Sequence, residues 1–119
     1  MSPMPDTERS ARPAEATVED GFDQIIHAPM RLRICAALHP VREIEFGTLL
    51  TLLGISKSAL SKHVSVLADA GYLQQRRAVR DTRQRVWLGL TKDGRSAYDG
   101  HVAALRRIVG GGHTPSPNP

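Results

Sequence analysis

The segment from Leu49 to Ala70 constrains the fold of this chain more strongly than any other segment does. It begins with a leucine-rich stretch that predicts a brief helix closed by Gly54: Leu49, Leu50, Leu52 and Leu53. Ser56 is placed to cap a second helix, which we expect to run to Ala70 and to stop at Gly71. Two short helices joined by a Gly54-Ile55 turn have the pattern of a helix-turn-helix.

The second of these helices has two different faces. Leu60, Val64 and Leu67 recur at helical spacing and are predicted to pack inward. Another side carries small hydroxyls and a cation at the same spacing: Ser58, Ser61, Lys62 and Ser65. The sequence therefore predicts a helix that is buried along one side and presents a polar, cationic face on another.

Apolar patterns before this pair supply further elements. A first helix is predicted to end near His27, with one apolar face formed by Val18, Phe22, Ile25 and Ile26. A second, apolar helix is predicted from Pro29 to the His39-Pro40 step, because a residue before proline is pushed out of the helical region. Alternation over Glu43–Phe46 predicts a short edge strand.

Two segments with strand character follow the polar-faced helix. Tyr72–Val79 and Arg85–Leu90 are predicted to form a hairpin whose tip is Arg80–Gln84. Thr91 can cap a last helix, on which four residues form an apolar seam: Tyr98, Val102, Leu105 and Val109. The expected fold is mainly α with a small β-hairpin wing, a winged helix-turn-helix.

The two ends of the chain differ from this domain. Residues 1–17 contain three prolines and no periodic pattern, which predicts a disordered N-terminal arm. Residues 110–119 are rich in glycine and proline, which predicts a disordered C-terminal tail. One folded domain is thus expected over residues 18–109.

Charge is distributed unevenly along the chain. The whole sequence carries +4, whereas residues 1–21 sum to −3 and Ile55–Leu90 sums to +5. Such a basic stripe is common where phosphates bind, although many basic runs are only solvated surface. Because no apolar run is long enough to span a bilayer and no secretory segment is recognisable, a cytoplasmic location is expected.

The sequence offers little for catalysis or redox chemistry. Cys35 is the only cysteine, which excludes an intramolecular disulfide and a zinc site built on several thiolates. Its place on an apolar helical face favours a buried structural residue over a sensing thiol. No glycine-rich phosphate loop, carboxylate pair or Ser-His-Asp pattern is recognisable, so neither an enzyme nor a bound cofactor is expected.

Four motifs occur in order along the chain: Ala28–Ile34, Leu52–Val64, Leu67–Leu73 and Leu90–Gly94. Together they resemble the winged-helix regulators of the MarR and ArsR types, and most closely the small single-domain ones, over Ile25–Ile108. The ArsR-type metal sites are not matched. Phe46–Gly54 has no cysteine for the thiolate site, and Asp99-Gly-His101 matches only part of the Asp and His site on the last helix. No metal is therefore expected.

The resemblance implies how the chain would contact duplex DNA. The helix after Ser56 would enter the major groove, which places seven residues near bases or phosphates: Ser56, Lys57, Ser58, Ser61, Lys62, His63 and Ser65. The hairpin would carry five arginines to phosphates or to a narrow minor groove: Arg76, Arg77, Arg80, Arg83 and Arg85. An alternative for these arginines is that they keep an edge hairpin soluble.

The apolar seam and the first helix predict a homodimer, because a chain of this size does not cover such a seam alone. The candidate interface residues are Phe22, Ile25, Ile26, Tyr98, Val102, Leu105 and Val109. The resemblance further implies a repressor that binds an inverted-repeat operator, with an unidentified small-molecule effector. Two other functions stay open, a winged-helix protein-interaction module and a non-specific architectural DNA binder.

Overall fold

The helices and strands of the computed structural model, which describes residues 20–110, follow one another in the predicted order. The helices are α1 (Gln24–His27), α2 (Pro29–Leu38), α3 (Phe46–Leu53), α4 (Lys57–Asp69) and α5 (Lys92–Gly110), and the strands are β1 (Ile44–Glu45), β2 (Leu73–Arg80) and β3 (Arg83–Leu90). This confirms a mainly helical winged helix with a small hairpin. The predicted arm and residues 111–119 of the predicted tail lie outside the described residues, whereas Gly110 is the last residue of α5.

The chain divides into two compact units. The larger is Asp23–Asp99, and it contains the helix-turn-helix and the hairpin. The smaller consists of the residues up to Phe22 and of Gly100–Pro119, of which the structure describes 20–22 and 100–110. None of the described helices is both long enough and apolar enough to cross a membrane.

Local chemistry sets the ends of the helices around the turn. Pro29 occupies the first turn of α2, where a missing amide hydrogen and a fixed φ cost nothing. Gly54 ends α3 with a φ of +67°, a left-handed conformation in which glycine carries no Cβ penalty. Ser56 caps α4, because its Oγ accepts a hydrogen bond from the amide of Ala59 at 3.1 Å. The predicted helix-turn-helix is confirmed.

The core of the larger unit holds α4 in a fixed orientation. Seven large apolar side chains from the helices and β3 have no exposed surface: Ile26, Ile34, Leu38, Leu49, Leu60, Leu67 and Leu88. Full burial of one such side chain stabilises a fold by about 1.5–3 kcal/mol. Since Leu60 and Leu67 lie on one side of α4, the side that carries Ser61 and Ser65 is left exposed.

The three strands form an antiparallel sheet in the order β1-β3-β2. The short edge strand β1 pairs Ile44 with Leu88 and Glu45 with Trp87, in the second half of β3. Gly89 permits this pairing, because a Cβ at its position would lie 2.6 Å from the carbonyl oxygen of Arg42. The edge strand predicted over Glu43–Phe46 is confirmed but is shorter, since Glu43 precedes it and Phe46 already belongs to α3.

The turn of the hairpin is tighter than predicted. Arg80 pairs with Arg83, so the turn consists of Asp81 and Thr82 rather than of the five residues Arg80–Gln84. Both turn residues have a positive φ, 54° and 60°, as the favoured two-residue hairpin turns require. The prediction was wrong because Asp-Thr lacks the glycine that usually marks such a turn.

The first helix is shorter than predicted. It begins at Gln24, whereas the apolar pattern had extended it from Val18, which lies outside the described residues, through Phe22. Asp23 begins α1 instead, because its carboxylate accepts a hydrogen bond from the amide of Ile26 at 3.0 Å. The other carboxylate oxygen of Asp23 accepts a hydrogen bond from the hydroxyl of Tyr72 at 2.5 Å, which connects the start of α1 to the residue before β2.

Candidate nucleic-acid interface

The exposed side of α4 brings together most of the seven residues that were predicted to contact DNA from this helix and its cap. Five of them line a shallow surface depression of about 600 Å³: Lys57, Ser58, Ser61, Lys62 and Ser65. Their side chains are short hydroxyls or mobile cations, and the buried leucines on the other side of α4 fix their direction. The depression therefore offers hydrogen-bond donors and positive charge on one helical face.

Ser56 and His63 belong to α4 and its cap but do not line this depression. The Oγ of Ser56 is engaged with the amide of Ala59 and lies 3.4 Å from the Oγ of Ser58. The Nδ1 of His63 lies 3.5 Å from an Nη of Arg31, and the Nε of Arg31 donates to the carbonyl of Ile25 at 2.6 Å.

The surroundings of His63 favour the neutral form of its ring. Burial, followed by the charges of Arg31 and Lys62, lowers the pKa of His63 below its ordinary value of 6.5. Sequence reasoning missed Arg31, one of two arginines on α2, because only the packing of α2 against α4 brings it to His63.

Two of the five wing arginines have acidic partners within the sheet. Arg85 donates to Glu45 at 2.8 Å. The Nε of Arg76 donates to one oxygen of Glu43 at 3.2 Å, and its Nη2 donates to the other. These hydrogen bonds from Arg76 lower the pKa of Glu43. Sequence reasoning missed both glutamates, although their alternation in a predicted edge strand was a usable signal.

The other three wing arginines are available to a partner. Arg77, Arg80 and Arg83 are exposed, and among the described residues none of them has a carboxylate partner. Arg80 and Arg83 lie opposite each other directly beside the two-residue turn. Two of the three unpaired wing arginines therefore flank the tip, on either side of the turn that contains Asp81.

The predicted interface residues of the larger unit are largely used by its own core. Ile26 is completely buried, so a second chain cannot contact it, and this prediction was wrong. Ile25 and Tyr98 are half-buried against the same core, and the Tyr98 ring lies 4.9 Å from that of His39. The single helical turn of α1 faces inward and leaves little apolar surface.

In the smaller unit, the predicted interface residues are more exposed. Val102 and Leu105 are half-buried, and Val109 is 83% exposed. The ring of Phe22 contacts that of His101 edge to face, with centroids 4.8 Å apart. This unit therefore presents apolar surface at the end of α5.

Cys35 and the partial metal motif have structural roles in the described chain. Cys35 is buried, and burial raises the pKa of its thiol to about 12, which opposes a sensing role. The carboxylate of Asp99 lies 2.8 Å from Nε2 of His39. Among the described residues, no group of three or more His, Cys, Asp and Glu side chains could hold a metal ion.

Comparison with known proteins gives one matching family and several similar structures. The model of a family described as winged helix DNA-binding domain matches residues 30–109. A transcriptional regulator homologue from Pyrococcus horikoshii OT3 is 24% identical, with a TM-score of 0.71 over 76% of this chain and 89% of that one.

NolR and HlyU are among the similar structures whose sequence identity to this chain is higher. NolR from Sinorhizobium fredii is 27% identical over 87% of this chain and 98% of its own, with a TM-score of 0.59. The transcriptional regulator HlyU from Vibrio vulnificus CMCP6 is 26% identical over 68% and 79%, with a TM-score of 0.54. These neighbours are of the MarR/ArsR type and are regulators rather than enzymes, which agrees with the motifs.

Proposed function

Because the chain belongs to the family of winged-helix DNA-binding domains, we propose that it is a sequence-specific transcription repressor that binds an inverted-repeat operator as a homodimer. The observation that carries the proposal is the exposed face of α4. Two lysines and three serines line its surface depression, and the one acidic residue of the helix, Asp69, is its last.

This face has the chemistry that a major groove requires. The groove of B-form DNA is about 12 Å wide and admits one helix. Short serine side chains let the backbone of α4 approach the base edges, and Lys62 can donate to the acceptors of guanine. The face therefore supports direct reading of bases.

The tip of the wing supplies the contacts that position the helix. Arg80 and Arg83 flank the turn and are exposed, so both can reach phosphates or a narrow minor groove. Arg76 and Arg85 contribute less, because Glu43 and Glu45 already neutralise them. The wing thus adds affinity that does not depend on the base sequence.

A two-fold dimer accounts for the apolar surface of α5. Val102, Leu105 and Val109 lie on one face of the helix, and Val109 is almost fully exposed. Pairing of two copies would cover this surface and present two α4 helices to successive major grooves, about 34 Å apart. A symmetric dimer requires a symmetric operator, and a bound operator blocks transcription when it overlaps a promoter.

Selection from a randomised duplex library, followed by titrations at two salt concentrations, tests this proposal. We expect enrichment of an inverted repeat with half-sites one helical turn apart, and an affinity that falls steeply with salt. The Lys57→Ala, Lys62→Ala double variant is the control and should fail to enrich the site. Expression of a reporter gene that carries the site between its promoter and its coding sequence should rise when the protein is absent.

Each alternative function has its own outcome in the same experiment. Negligible binding to every duplex at low salt would favour a protein-interaction module. Tight binding without any enriched sequence would favour a non-specific architectural binder. Activation of the reporter would leave DNA reading intact but contradict repression.

A further inference from the structure

The outer face of the hairpin contains a concavity that DNA reading does not explain. It has a volume of about 350 Å³ and is lined by five residues: Arg76, Ala78, Val79, Arg80 and Trp87. Side chains two apart on a strand share one face, so Arg76, Ala78 and Arg80 follow one another along β2. Trp87 lies opposite Arg76 on β3. The small side chain of Ala78 leaves the gap between two long arginines.

The two arginines beside this gap differ in their electrostatic state. Arg76 is paired with Glu43, and its guanidinium lies over the ring of Trp87 at 5.5 Å. Arg80 is exposed and has no carboxylate partner among the described residues. The concavity therefore combines apolar walls with one uncompensated guanidinium.

We propose that this concavity binds a small planar organic anion and is the effector site of the protein. A guanidinium presents a planar fork of donors that matches a carboxylate or a phosphate. The indole of Trp87 and the methyl group of Ala78 provide apolar surface for a flat ring. A volume of about 350 Å³ lies within the range of small-molecule pockets, roughly 300–1,000 Å³.

The position of Arg80 connects this site to DNA binding, and this step rests on the proposed function. Arg80 lines the concavity and also flanks the turn opposite Arg83. An anion that holds the Arg80 guanidinium withdraws it from a DNA phosphate. In the proposed dimer one phosphate contact is lost from each protomer, which lowers the salt slope by about two and weakens binding by up to about a hundredfold at about 0.1 M salt.

The only tryptophan of the chain, Trp87, makes binding directly measurable. We would follow its indole N–H signal and its fluorescence, without DNA, during titration with benzoate and with phenyl phosphate. Benzamide keeps the ring without the charge, and acetate keeps the charge without the ring. We expect a saturable response to at least one ring-bearing anion, and the tighter of the two identifies carboxylate or phosphate. No response to either anion, or an equal response to benzamide, would overturn the proposal.

Matched variants separate this site from the DNA interface. Ala78→Leu fills the gap without changing any charge, so it should abolish the response to the anion and leave DNA affinity within about twofold. Arg83→Ala should weaken DNA binding and leave the anion response unchanged, whereas Arg80→Ala should reduce both. An Ala78→Leu protein that still responds like wild type would contradict the site.

A second measurement distinguishes failure of this site from failure of the proposed function. The tighter anion should weaken duplex binding by up to about a hundredfold in the wild-type dimer and not in Ala78→Leu. Wild-type protein that binds the anion but no duplex would refute the proposed function and keep the site. Duplex binding that the anion leaves unchanged at saturation would refute the effector role alone.

Discussion

The guanidinium of Arg76 on β2 reaches across β3 and donates two hydrogen bonds to the carboxylate of Glu43, which immediately precedes β1. This contact joins the two outer strands of the sheet, and a second ion pair joins Arg85 on the central strand β3 to Glu45 on β1. The wing therefore has two arginines with a structural role and three that are free to contact a partner.

Removal of the Glu43 charge should increase affinity for DNA of any sequence. In Glu43→Gln, the Arg76 guanidinium loses its counter-charge and becomes available to phosphates, so the salt slope should steepen by up to about one for each protomer, or about two for the proposed dimer. Arg76→Ala should change duplex affinity much less than Arg80→Ala. Fluorescence anisotropy with a labelled duplex at several salt concentrations measures both. Equal losses in the two alanine variants would contradict the division of the wing.

The ion pair between Arg76 and Glu43 should make part of the free energy of unfolding depend on pH. The hydrogen bonds from Arg76 lower the pKa of Glu43 below its ordinary value of 4.5. The contribution of the pair to the free energy of unfolding is therefore fully present above that ordinary value and is lost as the pH falls through the lowered one. NMR titration of the Glu43 carboxyl carbon measures the shift. Arg76→Met should return this pKa to near its ordinary value, and an unchanged titration would contradict the pairing.

Base reading and backbone positioning should separate by element. Ser61→Ala and Lys62→Ala should change which sequences are preferred, by about 1–3 kcal/mol at a contacted base pair. Arg83→Ala should weaken binding to all sequences about equally, because a phosphate contact carries no sequence information. Randomised-site selection on each variant provides the measurement. Uniform losses in both α4 variants would show that this face positions the protein without reading bases.

Local signals were enough to predict the helix-turn-helix, but contacts between distant residues were not. The capping hydroxyl of Ser56 predicts the start of α4, and the conformational freedom of Gly54 predicts the end of α3. The structure confirms both. The partners of Arg76 and Arg85 depend on the order and register of the three strands, which no local pattern contains. The same limit explains the wrong prediction for Ile26. An apolar pattern indicates that this side chain is buried, but not whether its own core or a second chain covers it.

The two-residue turn of the wing leaves room for stabilisation. Thr82 has a φ of +60°, which costs a non-glycine residue about 1–2 kcal/mol. Thr82→Gly removes this cost but adds about 0.5–1 kcal/mol of backbone entropy on folding. A net gain of about 0.5–1 kcal/mol should raise the Tm by a few degrees. Gln75→Gly, at an exposed position inside β2, is the control and should lower it; a lower Tm in both would contradict the strain at Thr82.

Cys35 should be chemically inert in the folded protein. Because burial raises the pKa of its thiol from 9.0 to about 12, the thiolate should be about a thousandfold scarcer than in the unfolded chain. Alkylation should be slow without denaturant and fast with it, and peroxide should leave duplex affinity unchanged. Rapid alkylation of the native protein, with loss of DNA binding, would restore the sensing interpretation.

The end of α5 should decide the oligomeric state. Val109 is 83% exposed and lies on the same helical face as Leu105, which is half-buried. Wild-type protein should therefore have the mass of a dimer at micromolar concentration in solution. Val109→Asp places a charge in the proposed interface, where burial without a partner is costly, and should produce monomers that remain folded. Leu105→Asp should act in the same direction, with a larger effect on folding.

The monomeric variant also tests why the operator should be symmetric. Two linked α4 helices bind two half-sites at a high effective concentration, so separating the protomers should reduce operator affinity far more than non-specific affinity. Ser96→Asp adds the same charge at an exposed position earlier in α5 and should change neither mass nor operator affinity. If the wild type is monomeric at micromolar concentration, the dimer is wrong. An enriched site with a single half-site, bound equally by wild type and Val109→Asp, would refute the inverted repeat independently of the mass.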